Sequence, residues 1–279
     1  MSIAKQACVF VVGVLVVATQ TSRADDTNLS LGVGANYSSG DYGTSTTTRI
    51  TSAPVTARLD SGAWTLKLSV PYTRISGGAD VIPGVGVTTN TNPNKRGRGR
   101  GGNGGTTTTS TTSSESESGM GDVVFTVTNN VYNNAAGQWG VDLSGKIKFG
   151  TADEDKGLGT GENDYSVLVD LYKQINQWTL FGGVGYTDLG SSEFIQLDNV
   201  FSASLGSTYK LNDVNSLGFS FDYREKSSDT GFSQREMTAF VVHKFNKTWK
   251  GQAYLLKGFS DGSPDWGVGA SVTYGFGSI

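Results

Sequence analysis

The sequence predicts an all-β fold, a transmembrane antiparallel β-barrel of about 12 strands. Three observations carry this: period-two alternation in twelve segments, aromatic residues at the ends of the apolar faces, and short connections alternating with long ones. Composition agrees. The 279 residues include 39 Gly, 13 Phe, 11 Tyr and 5 Trp, yet only 36% are hydrophobic and 17% charged. Few charges beside many glycines and aromatics suit a sheet that is apolar on one face only. The one long apolar run, 8–18, falls short of the roughly 20 residues a spanning helix needs.

Residues 1–24 read as a signal peptide. Lys5 supplies a positive start, 9–18 an apolar stretch, and Ser22-Arg23-Ala24 a small-x-small cleavage site. Cleavage after Ala24 would remove Cys8, the only cysteine, and with it any disulfide or thiol chemistry. It would also leave 20 of the 22 basic residues against 25 acidic ones, a balance that offers no basic field for nucleic acid. Residues 25–279 then form the barrel, exported to the outer membrane of a Gram-negative bacterium.

The alternation begins with Leu29, Leu31, Val33, Ala35 and Tyr37 against Ser30, Gly32, Gly34 and Asn36. Trp64, Leu66, Leu68, Val70 and Tyr72 follow, then Trp139, Val141, Leu143, Ile147 and Phe149, then Tyr165, Val167, Val169 and Leu171. Further sets start at Trp178, Phe201, Leu217 and Trp266, and weaker ones cover 47–59, 121–132, 234–245 and 248–257. Rings such as Trp64 and Tyr72, or Trp178 and Tyr186, bracket these faces, as two membrane interfaces require. A water-soluble sandwich would bury its aromatics mid-strand.

Tight joins at 60–62, 133–137, 174–177, 212–215 and 246–247 alternate with longer ones near 38–46, 75–119, 151–164, 188–197, 225–233 and 258–265. That is the pattern of short periplasmic turns and longer outer loops, with both termini at the periplasmic side. Pro71 cannot donate to a ladder, so it should mark the place where the third strand leaves the sheet at the outer rim. Residues 75–119 read as a low-complexity mobile loop, with Lys95-Arg96-Gly97-Arg98-Gly99-Arg100 followed by Gly-Asn and Thr-Ser runs. Gly97-x-Gly99-x-x-Gly102 matches a dinucleotide fingerprint by letter, but it follows no strand and opens no helix. Contact with lipopolysaccharide, or folding back over the pore mouth, fits this loop better.

Catalytic chemistry is sparse. His243 is the only histidine, and its neighbours Lys244 and Phe245 lack the serine that outer-membrane phospholipases place two positions on. Asp153, Glu154, Asp155 and Glu162 are interspersed with glycines, but Leu158 stands where a calcium loop of the EF-hand type needs glycine. The sequence therefore predicts no enzyme, no metal and no cofactor. If the apolar residues face lipid, then Lys67, Asp142, Lys146, Lys148, Asp170, Asp222 and Arg224 project into the lumen, both signs together, able to pair across the wall. Twelve strands with many small inward residues should enclose a narrow passage, since eight are about filled and sixteen leave an open channel.

Several short motifs share an order and spacing. They are Ser69-Val70-Pro71-Tyr72, Gly119-Met120-Gly121-Asp122, Lys148-Phe149-Gly150-Thr151, then Gly157-Leu158-Gly159-Thr160-Gly161 with Asp164-Tyr165. Gly258-Phe259-Ser260-Asp261-Gly262-Ser263-Pro264-Asp265-Trp266 completes the set. Through them the chain, from about Pro54 to Phe276, resembles the outer-membrane family described as putative MetA-pathway of phenol degradation proteins. The Arg-Gly loop is larger than that family suggests, and Gly277-Ser278-Ile279 runs past the aromatic on which such chains usually finish. The resemblance implies transport of aromatic or other hydrophobic compounds and assigns no ligand residues.

Two functions follow as expectations. The first is a channel for passive diffusion of small solutes, aromatic or hydrophobic ones included, with the lipid bilayer and lipopolysaccharide as surroundings. The alternative is a non-conducting structural or adhesive barrel whose loops bind a partner.

Overall fold

The structure is a computed structural model that describes residues 27–95 and 116–278. The signal segment 1–24, the Arg-Gly tract and its Gly97-x-Gly99-x-x-Gly102 match lie outside the described residues.

Three long strands come first: β1 (Thr27–Gly40), β2 (Thr48–Ser61) and β3 (Trp64–Ser76). Two short ones, β4 (Val81–Ile82) and β5 (Gly86–Val87), make a small separate hairpin. Then come β6 (Ser116–Met120), β7 (Val124–Asn134), β8 (Trp139–Lys148), β9 (Asp164–Ile175) and β10 (Trp178–Asp188). The last five are β11 (Val200–Lys210), β12 (Asn215–Arg224), β13 (Gln234–Lys244), β14 (Trp249–Gly258) and β15 (Trp266–Ser278). Every pairing is antiparallel; apart from β3, which pairs with β6 and β7 past the small hairpin, wall strands pair with their chain neighbours, and β1 pairs with β15 from Ser30↔Gly275 to Ser39↔Trp266. With β6 and β7 sharing one place beside β3, the sheet closes as twelve staves.

The β6/β7 interruption has a covalent cause. Pro71 lies opposite Pro54 in the β2–β3 ladder, and neither ring nitrogen can donate. On the far side of β3 the partner strand stops at Met120 and resumes at Val124, and between them Gly121 N–H donates to Pro71 O at 2.7 Å. A Cβ at 121 would meet the Pro71 ring at 2.9 Å, so glycine is needed there. The third strand does not leave the sheet at Pro71, as the sequence suggests. It runs on to Ser76, pairing Tyr72–Ser76 with β6, because the partner strand breaks instead.

One face of the wall is apolar and exposed. Val33, Val55, Val184, Leu205 and Leu255 stand along its middle, Leu205 at 69% exposure and Leu255 at 66%. Aromatics close both edges of this band. Trp178 stacks on Tyr209 (4.8 Å between centroids) and Trp249 on Tyr274 (4.9 Å) at the short-turn end. Tyr186 meets Phe201 (4.9 Å) and Tyr37 meets Trp266 (5.2 Å) at the other. Trp178 and Tyr186 are eight residues apart on β10, which at about 3.3 Å per residue and a tilt of about 40° gives a band roughly 20 Å tall. Such a belt is a lipid-facing surface, far too apolar and contiguous for water.

The barrel should therefore migrate differently in detergent electrophoresis before and after boiling. Leu205→Arg, placed mid-belt, should lower stability in lipid vesicles by about 2–4 kcal/mol, measured by denaturant unfolding.

Candidate functional site: the inner wall and its mouth

Inward positions alternate with the lipid-facing ones on each strand. Of the seven residues expected there, Lys146 (6% exposed), Lys148 (2%) and Arg224 (3%) are buried, and Lys67, Asp142, Asp170 and Asp222 are half-buried. All seven share strand parity with buried small residues such as Ser144, Ser166 and Ser220, opposite exposed Leu143, Val167 and Phe221.

The charges pair less than the sequence suggests. Lys148 Nζ meets Asp164 Oδ1 at 2.9 Å, across β8 and β9, and also donates to Glu162 O at 2.5 Å. Arg58 binds Asp60 on its own strand, with Thr65 Oγ1 donating to the same carboxylate at 2.6 Å. Among the described residues Asp142, Asp170 and Asp222 form no ion pair. Asp142 accepts instead from Asn130 Nδ2 (2.6 Å), and Asp222 from Ser220 Oγ (2.8 Å). Register decides this, and register is not written in the order of residues alone: Asp142 falls directly opposite Asp170.

The wall is also more aromatic than expected. Phe181 (6% exposed), Phe240 (4%) and Tyr254 (3%) point inward, and half-buried Tyr172 shares their face. Each lies flat over a glycine on the adjoining strand: Tyr172 over Gly140, Phe181 over Gly206, Phe240 over Gly218 and Tyr254 over Gly269. A Cβ at any of the four would strike the ring, so each glycine leaves room for an aromatic to lie against the wall rather than across the lumen. These rings escape a reading of the sequence that takes aromatics as lipid-facing. The usable signal was parity, since Phe181 is out of phase with Leu180 and Val184, and Phe240 with Met237 and Val241.

The outer half of the lumen holds part of the long loop. Residues 75–95 are not the unpacked tract the sequence suggests: Val81 and Ile82 are fully buried, Val85 is 3% exposed, and Ile82 and Val85 pack on Ile195 from the loop after β10. The apolar run Val81-Ile82-Pro83-Gly84-Val85 supplies what the neighbouring low-complexity tract lacks. Gly84 (φ +80°) and Gly86 (φ +89°) turn the β4–β5 hairpin back on itself.

Arg224 on the wall and two serines of the loop after β12 hold this hairpin by its carbonyls. Arg224 Nη1 donates to Gly84 O at 3.1 Å and Nη2 to Val85 O at 3.2 Å; Ser227 Oγ donates to Val85 O and Ser228 Oγ to Val87 O, both at 3.2 Å. A small cavity remains between the hairpin (Ile82, Pro83, Gly84) and wall residues Thr73, Gln234 and Glu236. Beside it the loop after β8 inserts Leu158, fully buried against Ile75 and Ala152.

The other candidates disperse. His243 Nδ1 bonds Asn215 Oδ1 at 2.7 Å, and its ring packs edge-on against Phe245. Asp155 accepts from Asn92 Nδ2 at 2.9 Å, and Asp153 faces Lys156. Glu154 stays on the rim, where partial burial and then Asp155, Glu162 and Glu193 push its carboxyl above the usual range.

The family model described as "Putative MetA-pathway of phenol degradation" matches residues 76–276. The chain belongs to this family. No curated protein matches its sequence. Among solved structures this family member is similar to an outer membrane channel from Pseudomonas putida F1, with a TM-score of 0.66 and 15% identity over 94% of this chain and 100% of that one. It is similar to the NanC porin (TM-score 0.51, 12% identity, 88% and 98% coverage). The translocator domain of the autotransporter NalP from Neisseria meningitidis gives 0.50 at 9% identity, covering 97% of this chain and 96% of that one. At these identities the likeness establishes the barrel.

Gly206→Val should lower unfolding stability in vesicles by about 1–3 kcal/mol through collision with the Phe181 ring, and adding Phe181→Leu should recover part of that loss.

Proposed function

We propose that the protein is an outer-membrane channel through which small solutes, aromatic and hydrophobic ones among them, diffuse passively. The observation that carries this is a sealed cylinder whose outer face is uniformly apolar while its inner face is polar and retains cavities. Its lumen is narrow because twelve strands enclose far less than the sixteen of an open channel and because the β4–β5 hairpin occupies the outer half. The family description, the Pseudomonas putida channel and the NanC porin support transport.

Exposed Arg49, Arg74, Arg235 and Lys257 lie near the loop ends of β2, β3, β13 and β14, at headgroup level. Their position suits the phosphates of lipopolysaccharide.

Purified, refolded protein should give discrete current steps in planar bilayers. Replacing residues 79–89 by a short Gly-Ser linker should enlarge the unitary conductance, and Arg224→Ala, which frees the hairpin carbonyls, should shift it the same way with more noise. A folded barrel that conducts in none of these forms would favour the non-conducting adhesive reading.

A further inference from the structure

Four carboxylates share one row of the sheet. Following the ladder partners across the wall gives Asn130, Asp142, Asp170, Gly183, Ser204, Asp222 and Glu236 in unbroken succession from β7 to β13. Because strands tilt in a barrel, such a row climbs. Asp142 lies three residues from the short-turn end of β8, Asp170 five from that of β9, Asp222 seven from that of β12 and Glu236 eight from that of β13. The rise between the first and last is about 13 Å.

The arrangement works against folding. Asp142 stands directly opposite Asp170, and Asp222 directly opposite Glu236, where like charges destabilise a sheet. Room is made for it all the same: a Cβ at 183 would collide with Asp170 Oδ1, so glycine at that place lets the carboxylate lie across the wall. Small Ser202 and Ser204 continue the clearing, and together with Asp170, Asp222, Glu236 and Arg224 they line a cavity on the inner wall.

A second feature points to an occupant. Arg224 is 3% exposed, and although its two terminal nitrogens hold the hairpin, its Nε is buried with no hydrogen-bond partner. A buried unpaired donor is costly unless something supplies an acceptor. Three carboxylates against one guanidinium leave the cavity net negative, so the occupant carries positive charge and, beside it, an oxygen that can accept.

We propose that this rising row of carboxylates makes the channel cation-selective, and that the cavity at its upper end is a subsite for a small protonated amine bearing an adjacent hydroxyl or carbonyl oxygen. The proposal rests on the channel reading for its selectivity half, whereas binding in the cavity stands without it. The ammonium would donate to the facing carboxylates Asp222 and Glu236, with Asp170 adding its charge further down the row, and the oxygen would accept from Arg224 Nε.

Two measurements test it on the full-length mature barrel. In planar bilayers under a KCl gradient, the wild type should reverse on the cation side with a permeability ratio of roughly 3 or more. The variant Asp170→Asn/Asp222→Asn/Glu236→Gln should move that ratio to about one, its fold confirmed by heat-dependent mobility. In detergent, titration calorimetry with 2-aminoethanol hydrochloride should show saturable binding weakened at least about tenfold by the triple substitution. Tetramethylammonium, which has neither N–H donors nor oxygen, should bind more weakly than 2-aminoethanol. A conducting wild type that is unselective or anion-selective overturns the first half. Absent or unchanged 2-aminoethanol binding overturns the second, whether or not current flows.

Discussion

Closure is the constraint from which the rest of the molecule follows. In hydrocarbon no water satisfies a stray N–H or C=O, so a sheet can stand there only when its first and last strands meet. Here β1 and β15 meet along most of their length, which leaves no edge in the wall. Closure also gives every strand one lipid side and one lumen side, and so dictates the period-two composition of the whole chain. Even the exception obeys it: where two prolines face each other, the strand beyond them breaks and glycine 121 restores a bond to Pro71.

What the sequence makes legible is what this constraint imposes on each strand separately. Val33, Val55 and Leu205 sit among small or polar neighbours, Trp178 and Tyr186 bracket their strand, and five tight turns separate the longer loops, all visible without coordinates. The inner wall was less legible because its properties belong to pairs of strands. Gly206 is unremarkable until Phe181 is known to lie over it, and Asp142 is one inward acid until register sets Asp170 opposite. Averaged composition misled in the long loop, where one apolar heptad packs while the tract beyond it is polar.

The outer mouth is built by loops sharing the job that a core does elsewhere. Ile82 and Val85 reach Ile195, Leu158 reaches Ile75, and Arg224 links the barrel wall to the carbonyls of the hairpin. These contacts give the insertion a defined seat through backbone acceptors, for which position 85 can carry any side chain while the positive φ at 84 calls for glycine. Recognition of main chain rather than side chains leaves the hairpin's own apolar residues free to face the neighbouring loops.

The seam between β1 and β15 has a consequence for assembly. Until the trailing strand docks, any shorter set of staves presents two raw borders to the membrane, each able to recruit a foreign strand. Completion is thus all-or-nothing at a single lengthwise join, and lesions within 266–278 would stall biogenesis at an open, sticky intermediate rather than merely loosen a finished barrel.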